Sequence, residues 1–375
     1  MIIAVTIITI FYLILIGSLV IGFDRVNDFS LEDVPAITRF SIIIPFRNES
    51  ENLPALLQSI KSLNYEKHLF EILFIDDEST DDSARIINDF SKIHNELNIH
   101  MLSNNRASAS PKKDAITLAI KNAKHKWIIT TDADCIVPKY WLDTIDCFLQ
   151  HNSCKLLVAP VSINRAQSFL DRFQLIDFMS LQGVTIGGFG VQKPLLCNGA
   201  NLIYDREFFN KLNGFEGNLH IASGDDLFLL EKALKNAPKS VMYLKNIKSL
   251  VLTKPQSNLS ALITQRVRWA SKIKYYKTSI SKLIGLLVLL MNAILIGLGV
   301  LAFTRSIPFT LFLYIFIIKI SIDFLLIFKT ARFFKQGQHL PSFIFASFLY
   351  PFFSVFVAFV SVFKGYKWKD RAYSK

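Results

Sequence analysis

Two carboxylates one residue apart, Asp132 and Asp134 in Thr130-Thr131-Asp132-Ala133-Asp134-Cys135, are well placed to hold a charged ligand. They follow the apolar run Trp127-Ile128-Ile129 and precede Val137-Pro138, so they read as the end of a buried strand. Alternate residues of a strand point the same way, and both carboxylates can aim at one point past the strand end. Two hard oxygen ligands there suit a hard divalent cation, Mg2+ or Mn2+. Such a cation can neutralise a diphosphate. The competing explanation is a turn in which Asp134 caps the helix after Pro138.

The elements that must position these groups follow from periodicity. Phe40–Pro45, Ile72–Ile75, Ile99–Leu102, Trp127–Thr131 and Lys155–Val161 read as strands, with later strands ending at Tyr204 and spanning Ser240–Leu244. Between them, Glu51–Leu63, Asp81–Lys92 and Lys113–Asn122 carry apolar residues at helical spacing. The last of these turns Ile116, Ala119 and Ile120 inward. Beyond Pro138 comes a helix with Trp141, Ile145 and Phe148, and later Phe169–Gln182. Gly183–Gly190 reads as a mobile glycine-rich loop. Strands alternating with helices predict an α/β fold with a mostly parallel sheet. In such sheets ligands sit at the carboxyl ends of the strands. Pro45-Phe46-Arg47-Asn48-Glu49, Asp76-Asp77-Glu78-Ser79 and Thr131–Cys135 all fall at those ends. Ser223-Gly224-Asp225-Asp226 opens a helix through Leu234, where Ser223 or an Asp can serve as a cap.

The chain has 375 residues, 51% of them hydrophobic, with 33 Phe and a net charge of +12. A soluble protein of this size is less apolar, so membrane segments are expected. The basic balance fits an anionic membrane or a phosphorylated substrate. Nucleic-acid binding would explain the charge but not the apolar flanks. Cys135, Cys147, Cys154 and Cys197 form no C-x-x-C pair, which fits a reducing, cytosolic setting.

Residues 2–22 carry no charge and are long enough to span a bilayer. No Lys or Arg precedes Arg25, so an uncleaved transmembrane helix is expected over 1–23, then a linker over 24–38. A sheet-bearing region over 39–255 follows. Asn258–Lys282 reads as an amphipathic interfacial helix within 256–282. It sets Leu259, Leu262, Ile263, Val267 and Ile273 against Arg266, Arg268, Lys272, Lys274 and Lys277, with interfacial Trp269, Tyr275 and Tyr276. Leu283–Phe303, Ile307–Phe328 and Leu340–Phe363 read as spans within 283–364, leaving a basic tail over 365–375. Lys319 and Asp323 lie four apart in the middle span, as an internal ion pair or a functional pair. With a cytosolic sheet region, the basic loop Lys329–His339 obeys the positive-inside rule. The tail, with Lys364, Lys367, Lys369, Arg371 and Lys375, breaks that rule if the last segment crosses once. A single crossing is expected, although Pro351 would allow a bend and return.

Five motifs in order carry a family resemblance: Ser41–Glu49 (SIIIPFRNE), Asp76–Asp81 (DDESTD), Thr131–Cys135 (TDADC), Gly224-Asp225-Asp226 and Gln265-Arg266-Val267-Arg268-Trp269. Over roughly residues 40–275 the chain resembles the inverting membrane glycosyltransferases of family 2. That class includes cellulose, chitin and hyaluronan synthases and ceramide glucosyltransferases. The resemblance implies a GT-A-type, Rossmann-like fold and a multi-pass protein of the inner or plasma membrane with its catalytic region cytosolic. It implies a nucleotide-sugar donor, a UDP-sugar, and a lipid or glycan acceptor, with no nucleic acid. On that basis Pro45, Glu49, Asp76 and Asp77 face the nucleotide, since a carboxylate accepts from a base N–H or a ribose hydroxyl. Asp76 or Asp77 could instead cap the next helix. Asp132 and Asp134 hold Mg2+ or Mn2+ on the diphosphate, and Asp132 also counts as a donor contact. One lysine of Pro111-Lys112-Lys113 neutralises phosphate, with Lys113 taken here, although the family often has Gly-Lys at this place. Asp226 matches the catalytic base, and Asp225, an Asp where the family has Glu, is the runner-up. Arg268 binds diphosphate, and Gln265, Trp269, Asn198 and Gly199 line the acceptor side.

Two further readings compete with single transfer to a lipid. A processive polysaccharide synthase also fits Gln265–Trp269, but its exported chain needs a polar channel, usually from more spans than are seen here. A non-catalytic membrane scaffold would tolerate loss of Asp132, Asp134, Asp226 and Arg268, all of which are present.

Overall fold

The computed structural model describes residues 2–272, 275, 279–363, 365–369 and 371–373. In chain order the helices are α1 (Ile2–Arg25), α2 (Leu53–Lys61), α3 (Ser83–Ile93), α4 (Pro111–Asn122), α5 (Trp141–His151), α6 (Phe169–Gly190), α7 (Arg206–Lys211), α8 (Asp225–Asn236), α9 (Leu259–Ala270), α10 (Ser279–Phe303), α11 (Phe309–Phe333) and α12 (Ser342–Phe363). The strands are β1 (Phe40–Phe46), β2 (Phe70–Asp76), β3 (Ile99–Ser103), β4 (Trp127–Thr130), β5 (Cys135–Ile136), β6 (Leu156–Val158), β7 (Val161–Ile163), β8 (Leu202–Asp205), β9 (Val241–Tyr243), β10 (Val251–Thr253), β11 (Tyr366–Trp368) and β12 (Arg371–Tyr373). The chain divides into a sheet unit, Asn27–Asn164 with Leu196–Lys254, and a helical unit, Met1–Val26 with Arg165–Leu195 and Pro255–Lys375.

In the sheet unit seven strands run in the order β3-β2-β1-β4-β8-β6-β9. Only β8 is antiparallel to its neighbours, and every other pairing is parallel. The α/β expectation is therefore met, with one reversed strand. β1 and β2 are mostly apolar because both faces of a parallel sheet are covered, and their buried polar pair is satisfied internally, Ser41 Oγ donating to Glu71 Oε1 at 2.6 Å. Ala115, Ile116, Ala119 and Ile120 of α4, which packs on β1 and β2, supply one cover. The single strand expected over Lys155–Val161 is two, β6 and β7, separated by Ala159-Pro160, since proline has no N–H for the ladder. A second sheet, β5-β10-β7, forms beside the end of β4.

The helical unit overturns one expectation outright. Gly183–Gly190 is not a loop but the last two turns of α6, a 22-residue helix opened by a Ser168/Asp171 capping box. Its glycines serve a backbone crossing with α1. A Cβ on Gly190 would lie 1.7 Å from the Gly22 carbonyl oxygen, and one on Gly187 would lie 2.4 Å from that of Leu19. Small residues that admit such contact are a membrane-helix packing device. α9 is shorter than the amphipathic helix expected over Asn258–Lys282. It starts on Asn258, whose Oδ1 accepts from Ala261 N at 2.9 Å, and ends at Ala270. Ile273, Lys274, Tyr276 and Lys277 of that expectation, and Lys364 and Lys375 of the tail, lie outside the described residues.

Four helices, residues 2–25, 280–303, 309–333 and 342–363, are long and apolar enough to cross a membrane. α12 passes through Pro351 without a break. Within the helical unit Lys319 Nζ lies 2.9 Å from Asp323 Oδ2, and Tyr12 of α1 donates to the other carboxylate oxygen at 2.7 Å. The pair, with Tyr12, is thus a staple joining α1 to α11, which is how buried charge is tolerated at that depth.

Candidate active site

The sheet dictates where the acidic groups collect. β1, β2 and β4 are parallel neighbours in register, so the residues that follow them leave the sheet on one edge. After β4 the burial alternates: Thr131, Ala133 and Cys135 are buried, while Asp132 and Asp134 are partly exposed together. The two carboxylates stand not on the strand, which stops at Thr130, but in a turn closed by the Cys135 N–H to the Asp132 carbonyl at 3.1 Å. Asp134 does not cap the next helix, because α5 begins at Trp141 with no side-chain cap.

Lys112, in the first turn of α4, is the cation of this cluster. Its Nζ donates to Asp132 Oδ1 at 2.7 Å and lies 3.4 Å from Asp225 Oδ2. Burial alone would lower the Lys112 pKa, but the carboxylates of Asp132, Asp225 and Asp226 more than offset it and raise it well above the usual ammonium range. The expectation that Lys113 faces the phosphate is corrected. Lys113 is fully buried, and its Nζ donates to the carbonyls of Asn218 and Ile221 at 2.7 and 2.8 Å. The signal was available. Lys113 lies three and seven residues before Ile116 and Ile120, on their inward face, so Lys112 is the residue turned away from the core.

Asp225 and Asp226 form the first turn of α8, whose N-cap is Gly224 at φ +85°. That left-handed conformation favours glycine. Neither Ser223 nor an Asp caps this helix through a side chain. Asp226 Oδ2 accepts from the Gly199 N–H at 3.2 Å. A Cβ on Gly199 would sit 3.0 Å from Asp225 Oδ2 and 3.6 Å from Lys112 Nζ, so this glycine is part of the cluster wall. Its turn is held from several sides. Thr130 Oγ1 donates to the Gly199 carbonyl at 2.8 Å, and Asn198 Oδ1 accepts from Ala200 N at 3.0 Å. Asn201, fully buried, donates to the carbonyls of Pro160 and Ser249 and accepts from Trp141 Nε1. Tyr204, on β8, is buried beside Asp225 and Lys112, and sequence reasoning did not single it out.

The second acidic cluster lies at the ends of β1 and β2. Asp76 Oδ1 accepts from Ser79 N at 2.8 Å, closing a tight turn rather than capping α3, whose N-cap is Asp82. Asp77 Oδ1 accepts from Asn104 Nδ2 at 2.8 Å and Arg106 Nε at 3.0 Å. Asn48 and Glu78 hold left-handed backbones, and the two loops interlock, with Asn48 Oδ1 accepting from Thr80 N at 2.8 Å. Glu49 stands where α2 begins, its carboxylate accepting from Asn52. Pro45 pairs with Ile75 in the strand register.

Gln265, Arg268 and Trp269 lie on α9 of the helical unit. There Gln265 Oε1 accepts from Arg266, and the Arg266 guanidinium lies 4.2 Å over the Trp269 ring. Arg266 was placed among the solvated charges by its sequence, but it is buried against Asp177 of α6. Its partner lies far away in sequence, and the one visible sign was a carboxylate inside the apolar stretch of α6.

Residues 41–211 match the model of "Glycosyl transferase family 2". The chain is 29% identical over 127 residues to the poly(ribitol-phosphate) beta-N-acetylglucosaminyltransferase TarS of Staphylococcus aureus, covering 34% of this chain and 22% of that one. It is 26% identical over 238 residues to the poly-beta-1,6-N-acetyl-D-glucosamine synthase of Staphylococcus epidermidis, covering 61% of this chain and 53% of that one. The chain thus spans between about a fifth and a half of the length of these relatives. Among solved structures, the mannosyltransferase PcManGT from Pyrobaculum calidifontis, in complex with GDP-Man and Mn2+, is similar across 96% of this chain and 99% of that one. Its TM-score is 0.55 at 14% identity, which is a likeness of fold, the GT-A type. The matched region contains β1, β2, β4 and the Asp132/Asp134 pair, and this part of the chain is a family 2 glycosyltransferase region.

Proposed function

We propose that this protein is a membrane-bound glycosyltransferase that moves a sugar from a UDP-sugar to a hydroxyl of a membrane lipid or glycan, with inversion. The observation that carries the reading is the convergence of Asp132, Asp225, Asp226, Lys112 and Gly199, from four separate segments, at one edge of the sheet unit. The cluster sets three carboxylates, Asp132, Asp225 and Asp226, against the Lys112 ammonium, an excess of negative charge that a divalent cation would balance.

The residues present fit Mg2+ or Mn2+. Among the described residues no group of three or more His, Cys, Asp or Glu forms a ready-made cage. Ions of this type, Mg2+ above all, take one or two carboxylates and complete their shell with substrate phosphates and water. Asp132 and Asp134 are the two carboxylates. When bound, the cation supplies charge neutralisation to a diphosphate leaving group.

The chain's own residues do the rest in this reading. Asp76 and Asp77 face the base and ribose, flanked by Pro45 and Glu49. Lys112 replaces Lys113 as the lysine that meets the diphosphate, and Arg268 keeps its diphosphate role on the strength of its motif. Asp226 takes the proton of the acceptor hydroxyl as the new C1–O bond forms and the bond to the UDP oxygen breaks. The Gly199 N–H orients Asp226 Oδ2. Asn198, Gly199, Gln265 and Trp269 serve the acceptor. The catalytic unit faces the cytosol, which puts the basic 329–339 loop on the side the positive-inside rule favours. A processive synthase is the second reading, supported by the likeness to the poly-beta-1,6-N-acetyl-D-glucosamine synthase.

The test incubates purified protein in lipid nanodiscs with labelled UDP-sugars and Mg2+ or Mn2+. Label in the organic phase supports a lipid acceptor, and label in an alcohol-insoluble polymer supports the synthase. Asp226→Asn should abolish transfer while UDP binding persists. Normal transfer by that variant refutes the base assignment.

A further inference from the structure

The mechanism leaves one buried ion pair unused. Arg266 and Asp177 have side chains only 7% and 5% exposed, and the pair joins α9 to α6. Arg266 Nε donates to Asp177 Oδ2 at 2.7 Å, and Nη2 lies 2.7 Å from the same oxygen. Removing two charges from water is costly, and a pair of this kind is weak evidence for stability. What it supplies is a defined position. Tyr350 of α12 faces the same carboxylate, and Lys319 Nζ lies 5.6 Å over the Tyr350 ring. Asp177 therefore sits on a polar line that continues to Asp323 and Tyr12.

Trp269 stands three residues after Arg266, one helical turn along the same face. The guanidinium covers its ring at 4.2 Å, a cation–π stack, and Phe178 flanks the ring at 6.4 Å. One side of the indole is thus defined by Arg266, and Arg266 by Asp177. Asp177 is in turn carried by a helix whose Gly187 and Gly190 pack closely against the α1 backbone.

We propose that Asp177 is a positioning residue: acting through Arg266, it sets the orientation of the Trp269 indole and hence the fit of the acceptor sugar or lipid headgroup. The consequence for the acceptor rests on reading α9 as an acceptor-binding helix. The orientation of Trp269 does not.

The full chain in nanodiscs tests both. The sequence has four tryptophans, so the emission lost in Trp269→Phe isolates the Trp269 signal. Asp177→Asn and Arg266→Gln should each raise acrylamide quenching of that signal by about twofold or more, because the stacked guanidinium is displaced or removed. The acceptor kcat/KM should fall by about tenfold or more while the donor KM and the Kd for UDP stay within about twofold. The Asp177→Asn/Arg266→Gln double variant removes both charges, which leaves no uncompensated buried ion and protects folding. It should keep the thermal midpoint closer to wild type than either single variant, yet still expose Trp269. Unchanged Trp269 quenching in the folded double variant overturns the proposal, whatever the activity. Equal losses in donor and acceptor kinetics overturn the positioning role and leave a structural one. If wild-type protein transfers from no nucleotide-sugar, the functional reading falls, and the quenching comparison still decides the role of Asp177.

Discussion

Lys112→Met removes the ammonium at the centre of the acidic cluster and keeps most of its apolar stem. A unit-charge pair at about 4 Å is worth up to about 4 kcal/mol at an effective dielectric of about 20, before desolvation is counted. Lys112 is 18% exposed and Asp225 11%, so that contact is little screened, whereas Asp132 at 37% is discounted for solvent. Breaking a fully buried pair costs about 3–5 kcal/mol, and partial exposure here brings the expected loss to about 2 kcal/mol. As a transition-state effect the same energy corresponds to about thirtyfold in rate. The sign of the pH dependence follows from Lys112's raised pKa. Its stabilisation is complete below the unfolded ammonium value of 10.5 and is lost only as pH rises through the higher folded value. The deficit of the variant should therefore be constant from about pH 6 to 9. Thermal unfolding followed by fluorescence measures the first quantity, and UDP release with Mn2+ the second. Lys112→Arg should retain most of both. A Lys112→Met protein with wild-type midpoint and wild-type UDP release would show that the cluster needs no internal cation, and the charge argument would fail.

Gly199→Ala places a methyl 3.0 Å from Asp225 Oδ2, and kcat should drop by about tenfold, about 1.4 kcal/mol, with the thermal midpoint little changed. Gly190→Val cannot be accommodated with the Gly22 carbonyl oxygen 1.7 Å from its Cβ. The yield of folded protein after detergent extraction should collapse, whereas Gly297→Ala, in open space, should be silent. Asp81 is driven up by burial but held lower, at about 2, by hydrogen bonds from Ser83 and Ser50. Its contribution is present above 3.8 and disappears as pH falls through about 2, so the urea midpoint of wild type should fall more steeply than that of Asp81→Asn below about pH 4.

The strands that carry the site were legible because each is an apolar run stopped by a carboxylate or a proline. Two features were not legible, for different reasons. Gly183–Gly190 looked like a loop because glycine usually marks freedom. At Gly187 and Gly190 it marks a steric demand from Leu19 and Gly22 of α1, and at Gly183 one from Leu326 and Thr330 of α11, which no local pattern reveals. Arg266 looked solvated because helical periodicity ranks charges outward, and its partner Asp177 is 89 residues away. Lys112 and Lys113 were separable by their phase against Ile116 and Ile120, a local signal that outweighs motif analogy.

The glycine crossing of α1 and α6 also decides how the molecule can be divided. α1 resembles a detachable anchor, yet its Leu19–Gly22 backbone is seated on a helix inserted midway through the chain. A version shortened to begin after Arg25 would strip the α6 glycines of their cover and leave a groove of bare backbone, an adhesive surface in water and in detergent. Solubilising the sheet unit would therefore require excising 165–195 as well, a cut that must rejoin Asn164 to Leu196. Anchor and insertion are one hinge-pin, and they are removed together or not at all.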